Sequence, residues 1–189
     1  MHLILASASP RRAELLESAG FTFDVAPSHV DESVHPGENP KDYALRVARD
    51  KARVAAGLCR KSGSVVLAAD TVVVAGGQIL AKPDGRDDTK RMLKTLSGRV
   101  HEVHTAVVVR AGDHELSEVV TSRVRLLPLT DSEIDWYIGT GEPEGKAGGY
   151  AIQGRAARFI DWLEGSWSNV VGLPVSTVYR LLNEAGECG

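Results

Sequence analysis

Apolar and polar positions along the chain fall into segments of alternating helical and extended period. Residues 2–6 form a short apolar run that gives way to Ser9-Pro10, a capping residue followed by proline at the first helical position. A helix through Ala19 follows, and Gly20 ends it. Residues 21–26 read as a second strand. Asn39-Pro40 repeats the cap-plus-proline signal, and Tyr43, Val47, Val54 and Leu58 recur at helical spacing, which predicts the longest helix, to about Gly57. Residues 65–75 are rich in β-branched side chains and read as a strand interrupted by Asp70, with Gly76-Gly77 turning the chain back into Ile79-Leu80. A helix over about 86–96 stops at Ser97-Gly98. Residues 100–110 and 116–127 make the clearest hairpin, closed across Gly112-Asp113. Thr130, Asp131, Ser132 and Glu133 spell a capping box that opens a short helix. A last strand region, 150–152 and then 159–163, precedes a closing helix from about Pro174 to Asn183.

Helices and strands alternate irregularly and at least one strand pair is antiparallel, which predicts an α/β fold with a mixed sheet flanked by helices. No repeat or linker divides the 189 residues, so a single domain over 1–189 is expected, with long loops at 27–40 and 139–149. Apolar residues at 43% and charged ones at 25% are those of a folded chain rather than a disordered one. The formal net charge of −3 provides no general positive field for nucleic acid or an anionic membrane, so any anionic ligand has to meet a local cationic cluster. The longest apolar stretches fall far short of a membrane span, and residues 3–6 are too short for a secretory signal core, which points to a cytoplasmic protein. Cys59 and Cys188 lack metal-ligand spacing and read as incidental thiols.

Candidate chemistry is scattered. Asp70 follows five apolar residues and precedes three valines; such an acid either ends a strand at a bend or is buried, paired and functional. Ser7-Ala8-Ser9-Pro10-Arg11-Arg12 places a strand end, two hydroxyls, a helix N-terminus and two guanidiniums within six residues, which suits phosphate, although a solvated Arg pair is the commoner meaning of such a string. Lys51 and Lys82 each read alone as surface lysines, and Asp31, Glu32 and Glu38 as solvated loop acids. Combined with Asp70, one of those acids would complete a carboxylate site for a divalent cation. His101 and His104, three apart on a strand, face opposite sides and cannot chelate together. The segment 145–149 lacks the spacing of a phosphate-binding loop, and neither a dinucleotide fingerprint nor a nucleophile elbow is present. Trp136 is expected in the core, and packing is the preferred role for Trp162 and Trp167.

Six short blocks occur in an order that resembles the Maf family: the Ser7 to Arg12 string, Ala69-Asp70-Thr71, Lys82-Pro83, Ser97-Gly98-Arg99-Val100-His101, the run from Lys146 to Gly154, and Val170-Val171-Gly172-Leu173-Pro174. The resemblance implies a nucleoside triphosphate pyrophosphatase, similar in fold to inosine triphosphate pyrophosphatases: an elongated mixed sheet in two lobes around a cleft, usually dimeric. It implies conversion of an NTP to NMP and pyrophosphate with a divalent cation, Mg²⁺ or Mn²⁺. Carried onto this chain, Asp70 matches the catalytic carboxylate and a metal ligand, and Glu32 the acidic loop residue near the metal. Arg11, Arg12, Lys51 and Lys82 match the phosphate-binding cations and Ser7 the strand-end hydroxyl. Ile152-Gln153-Gly154 looks like the dTTP/UTP branch, with Arg11, Thr71 and Gln153 at specificity positions. Ala81 departs from the glycine common before the lysine. The expected partners are the nucleotide and a second copy of the chain, with no nucleic acid or membrane; the competing reading is a non-enzymatic nucleotide-binding regulator of septum formation.

Overall fold

The computed structural model describes residues 2–58 and 63–187; Cys59 and Cys188 lie outside the described residues. The elements run β1 (His2–Leu5), α1 (Pro10–Ser18), β2 (Phe23–Val25), α2 (Pro40–Leu58), β3 (Ser64–Ala75), β4 (Gln78–Leu80), α3 (Gly85–Leu96), β5 (Val100–Ala111), β6 (His114–Leu126), α4 (Asp131–Gly139), β7 (Ile160–Glu164), α5 (Trp167–Val171) and α6 (Val175–Glu187). Two 3-10 turns, Ala147–Gly149 and Arg155–Phe159, precede β7. The sheet follows the order β2-β1-β3-β5-β6-β7, with β4 paired to β3. β1 is parallel to both β2 and β3, whereas β4 and β7 are antiparallel to β3 and β6, so the sheet is mixed as expected. No described helix is long and apolar enough to cross a membrane.

The chain forms two compact units, Met1–Thr71 with Thr105–Val120 and Gly172–Gly189, and Val72–His104 with Thr121–Val171. In the first unit, β1 lies between β2 and β3, so the chain leaves β1 in one direction through α1 and returns past it through α2. Right-handed crossovers then place α1 and α2 on opposite faces. Strand alternation agrees: Val65, Leu67 and Ala69 of β3 cluster with Leu3, Leu5, Leu16, Leu173, Val178 and Leu181, the face covered by α1 and α6. On α2 the buried arc is centred on Ala44, Ala48, Lys51 and Ala55, and its alanines are small enough to allow close approach to the sheet. Val54 and Leu58, expected on that stripe, are 39% and 65% exposed, because one sits at the border of the arc and the other in the last turn.

Asp70 does not interrupt its strand: β3 is continuous, and Asp70 is buried within it. In the second unit the capping box forms as read, Glu133 N–H donating to Thr130 Oγ1 and Thr130 N–H to Glu133 Oε2. Residues 150–152 are not a strand. They are buried, but Gly154 N–H donates to Ala151 O at 3.0 Å, so the apolar run is spent on a turn packed inward. Trp136 is 42% exposed rather than core, because α4 buries Ile134 and Tyr137 and leaves the indole under the Arg158 guanidinium, 4.3 Å from its centroid. Trp162, on the outermost strand β7, and Trp167 are exposed as well, contrary to the expected packing role.

His101 and His104 have separate partners, Tyr150 Oη at 2.7 Å from His101 Nε2 and Thr121 Oγ1 at 2.9 Å from His104 Nδ1. The glycines at 148 and 149 serve packing: Gly148 N–H donates to Ala81 O, φ is +69°, and a Cβ there would lie 2.9 Å from Val73 Cγ1.

Gly148→Ala therefore combines backbone strain with a clash and lowers the unfolding free energy by about 1–3 kcal/mol in urea titrations. Burial pushes the His101 imidazole down to about 4, so the unfolded chain binds a proton that the folded chain refuses between that value and about 6.5. Stability accordingly falls as pH drops through that window, by up to about 3 kcal/mol from this group. His101→Gln is expected to flatten that part of the pH profile.

Candidate functional site

In open α/β sheets, ligands gather at the carboxyl ends of strands where the winding direction reverses. β1 is such a point. Its last residue, Leu5, pairs with Leu67, Ala6 N–H donates to Leu67 O, and β3 continues past this level into Asp70 and Thr71. Adjacent residues of a strand face opposite sides, so Asp70 turns towards α2 while Thr71 turns towards α1 and α6.

On the α2 side, Lys51 Nζ lies 2.7 Å from Asp70 Oδ1 and 2.7 Å from Glu32 Oε1. Lys51 and Asp70 are both buried, and neither would be tolerated there without an opposite charge. Glu32 arrives on the loop before α2, which α2 itself secures. The Tyr43 hydroxyl donates to Glu32 O at 2.8 Å, and Arg46 donates to both carboxylate oxygens of Glu38 and to Ser33 O. Burial, followed by the charges of Asp70 and Glu32, pushes the Tyr43 hydroxyl up to about 12, so it remains a donor. Lys51 is thus not the surface lysine that its position in an ordinary helix suggested, and Glu32 is not merely a solvated loop acid.

On the other side, Arg12 is the centre. Its guanidinium donates from Nε to Gly172 O at 2.8 Å, from Nη1 to Ser7 Oγ at 3.2 Å and from Nη2 to Thr71 Oγ1 at 3.1 Å. Burial pulls its pKa down while Asp70 pulls it up, and it stays charged. Thr71 Oγ1 is also 2.9 Å from Thr105 Oγ1. Ser9 occupies the N-cap of α1 without making a side-chain capping bond; instead Ser9 N–H donates to Ser7 Oγ. Arg11 is only partly buried at the same helix start, its pKa lowered by burial against the pull of Glu14.

The structure therefore brings Ser7, Arg12, Thr71 and the Glu32–Lys51–Asp70 triad together in the first unit, with Arg11 beside them. Lys82 and Gln153 belong to the second unit and are both exposed, on the segment after β4 and on the turn after Tyr150. Sequence reasoning missed Tyr43, Thr105 and the carbonyl of Gly172. Tyr43 lies two helical turns before Lys51 on a shared face, a usable signal; the other two have none of their own. Gly172 adopts φ +130°, a conformation that side chains rarely take, and this presents its carbonyl to Arg12.

Among the described residues no group of three or more His, Cys, Asp or Glu side chains gathers as a metal site. The chain's own oxygen donors at this place are Glu32 and Asp70, both directed at one cation, Lys51 Nζ. Two carboxylates, completed by phosphate oxygens and water, are the hard donor set in which Mg²⁺ is commonly held.

A family model described as Maf-like protein matches residues 2–185. The dTTP/UTP pyrophosphatase of Anaeromyxobacter dehalogenans (strain 2CP-1 / ATCC BAA-258) is 53% identical over 188 residues, covering 97% of this chain and 94% of that protein. The dTTP/UTP pyrophosphatase of Koribacter versatilis is 49% identical over 186 residues, covering 98% and 95%. Among solved structures, the Ham1 protein of Staphylococcus aureus is similar with a TM-score of 0.48 and 14% identity, covering 67% of this chain and 72% of that one. With the family match running from residue 2 to residue 185 and relatives this similar over nearly their whole length, the chain belongs to the Maf family.

Proposed function

We propose that this protein is a nucleoside triphosphate pyrophosphatase acting on dTTP and UTP, releasing the monophosphate and pyrophosphate. The observation that carries the proposal is the buried Lys51 bridging Glu32 and Asp70 at the carboxyl end of β1, beside the Arg12 guanidinium. It is the place where a fold of this winding takes a ligand, and its charges are those a metal-bound triphosphate requires. The names of the relatives supply the substrate class.

In this reading Asp70 orients the attacking water and accepts its proton, a role for which a carboxylate fixed by one strong ion pair is well placed. Lys51 holds Asp70 and Glu32 at a common point and offers positive charge to the phosphates. Arg12 has three of its five N–H groups committed to Gly172, Ser7 and Thr71, which fixes the guanidinium plane and leaves two N–H groups to face an anion. Arg11, Ser7 and the start of α1 add donors at the same end of β1, and Lys82 adds a further cation for the leaving pyrophosphate. Glu32 and Asp70 would hold the divalent cation, Mg²⁺ or Mn²⁺, which when bound supplies charge neutralisation at the phosphoryl oxygens. Thr71 acts through Arg12, to which it is bonded, and Gln153 reads the base. The same reading takes the protein as a cytoplasmic homodimer. The buried, charge-paired acid favours catalysis over a purely regulatory role.

Purified protein with Mg²⁺ is expected to release pyrophosphate from dTTP and UTP. Asp70→Asn is expected to lower that rate by about 10²–10⁴-fold with an unchanged circular dichroism spectrum. Orthophosphate as the only phosphate product, or an active Asp70→Asn enzyme, would refute the proposal. Arg12→Lys cannot reach three acceptors from one ammonium, so it leaves buried acceptors unpaired; a stability loss of about 1–3 kcal/mol in urea and a raised KM are expected.

A further inference from the structure

The turn that carries Gln153 is held at both ends by two side chains to which neither the family resemblance nor the proposed mechanism assigns a part. Gly154 N–H donates to Ala151 O, so Gln153 occupies the third position of a tight turn. At its start, Ala151 N–H donates to the Tyr137 hydroxyl at 3.1 Å. At its end, Arg155 N–H donates to Glu142 Oε2 at 2.8 Å and Ala156 N–H to Glu142 Oε1 at 3.2 Å, so the carboxylate caps the 3-10 turn Arg155–Phe159 from 13 and 14 residues away. The two ends are joined, because the Tyr137 hydroxyl donates to Glu142 Oε1 at 2.7 Å. A Cβ on Gly154 would fall on that carboxylate, which explains the glycine. Tyr150, Ala151, Ile152 and Ala156 are buried, and Gln153 points out of an otherwise anchored turn.

Burial would raise the Glu142 carboxyl, but the N–H groups of Arg155 and Ala156 and the Tyr137 hydroxyl outweigh it and hold it below the ordinary value. Its charge is therefore present throughout neutral pH, when charge-assisted hydrogen bonds are strongest.

We infer that Tyr137 and Glu142 are positioning residues for base recognition: they fix the Gln153 turn so that its carboxamide is presented in one place to the uracil or thymine edge. The inference rests on Gln153 reading the base. The N3–H donor and O4 acceptor of these bases sit side by side, and a carboxamide supplies the complementary acceptor and donor. A carboxamide can also rotate to suit cytosine, so discrimination depends on where the turn holds it, and a pre-ordered turn binds without the cost of ordering.

Steady-state kinetics of Glu142→Gln and Tyr137→Phe, with UTP, dTTP, CTP and GTP, test this in wild-type and Gln153→Ala backgrounds. Gln153→Ala is expected to raise KM for UTP and dTTP and to narrow their advantage over CTP and GTP. Glu142→Gln is expected to do the same, raising KM by about tenfold with kcat within about twofold, and Glu142→Ala more strongly. Within the Gln153→Ala background, Glu142→Gln and Tyr137→Phe should add nothing to KM or to selectivity. A Gln153→Ala enzyme with unchanged KM and selectivity would overturn the base-reading role and this inference with it. An effective Gln153→Ala alongside silent Glu142→Gln and Tyr137→Phe would overturn the positioning role alone. So would full effects persisting without Gln153, or a uniform fall in kcat on every nucleotide. Thermal unfolding of each variant identifies any that fails to fold, and Tyr137→Phe, which keeps the carboxylate, then decides.

Discussion

A charge buried beside a sheet has to be met by an opposite charge or by hydrogen-bonding partners, and most of the first unit's architecture around its candidate site follows from satisfying that condition for Lys51, Asp70 and Arg12. Lys51 is buried on α2, Asp70 on β3, and Glu32 is brought in by a loop to share the same ammonium. Leaving either buried partner, Lys51 or Asp70, alone would cost several kcal/mol on the scale of buried ions, a large share of a domain's stability, whereas Glu32 reaches the ammonium from the exposed side. The loop before α2 is therefore not free to wander. Tyr43 and Arg46 hold its backbone, and Tyr43 carries a hydroxyl whose own ionisation is suppressed by burial first and by the two acids after it. Across the strand the second buried cation, Arg12, is treated differently: its partners are a carbonyl and two hydroxyls, neutral acceptors that fix its plane without cancelling its charge. One cation holds acids together, and the other is held by neutral oxygens.

What was legible in the sequence was what a local pattern can carry. The helix start at Ser9-Pro10, the capping box at Thr130 and the Gly76-Gly77 hairpin are written in neighbouring residues; the box and the hairpin formed, and α1 begins at Pro10 although Ser9 makes no side-chain capping bond. Asp70 stood out because a charge among valines is a local anomaly, though its continuity within the strand was not visible: the lysine that makes it tolerable is nineteen residues away. The misreadings share one cause. An apolar run signals burial and not conformation, so Tyr150, Ala151 and Ile152 read as a strand when they line the inside of a turn. An indole signals burial too, but Trp136 is covered on one face by the cation of Arg158 rather than by the core.

The partners least visible beforehand are acceptors supplied by the main chain and donors that reach far along it. The Gly172 carbonyl meets Arg12 over a separation of 160 residues, and the Glu142 carboxylate meets the amides at 155 and 156. Carbonyls and amides are the same at every position, so composition says nothing about which of them will be used. The glycines beside these contacts are a trace they leave: Gly172 for its backbone angle, Gly154 for the space that a carboxylate fills.

Asp70 and Thr71 are neighbours in the chain and yet look out from opposite sides of β3, one bonded to the helix on each side. The pairing of β1 with β3, from His2 with Ser64 to Leu5 with Leu67, is what keeps them at that level. Inserting or deleting a single residue between Leu67 and Asp70 would do more than shift the acid by one step of about 3.3 Å. It would exchange the two faces, sending the carboxylate towards the guanidinium of Arg12 and the hydroxyl towards Lys51. Evolution can vary the side chains of this strand one at a time, but its length ahead of the acid can change only in steps of two.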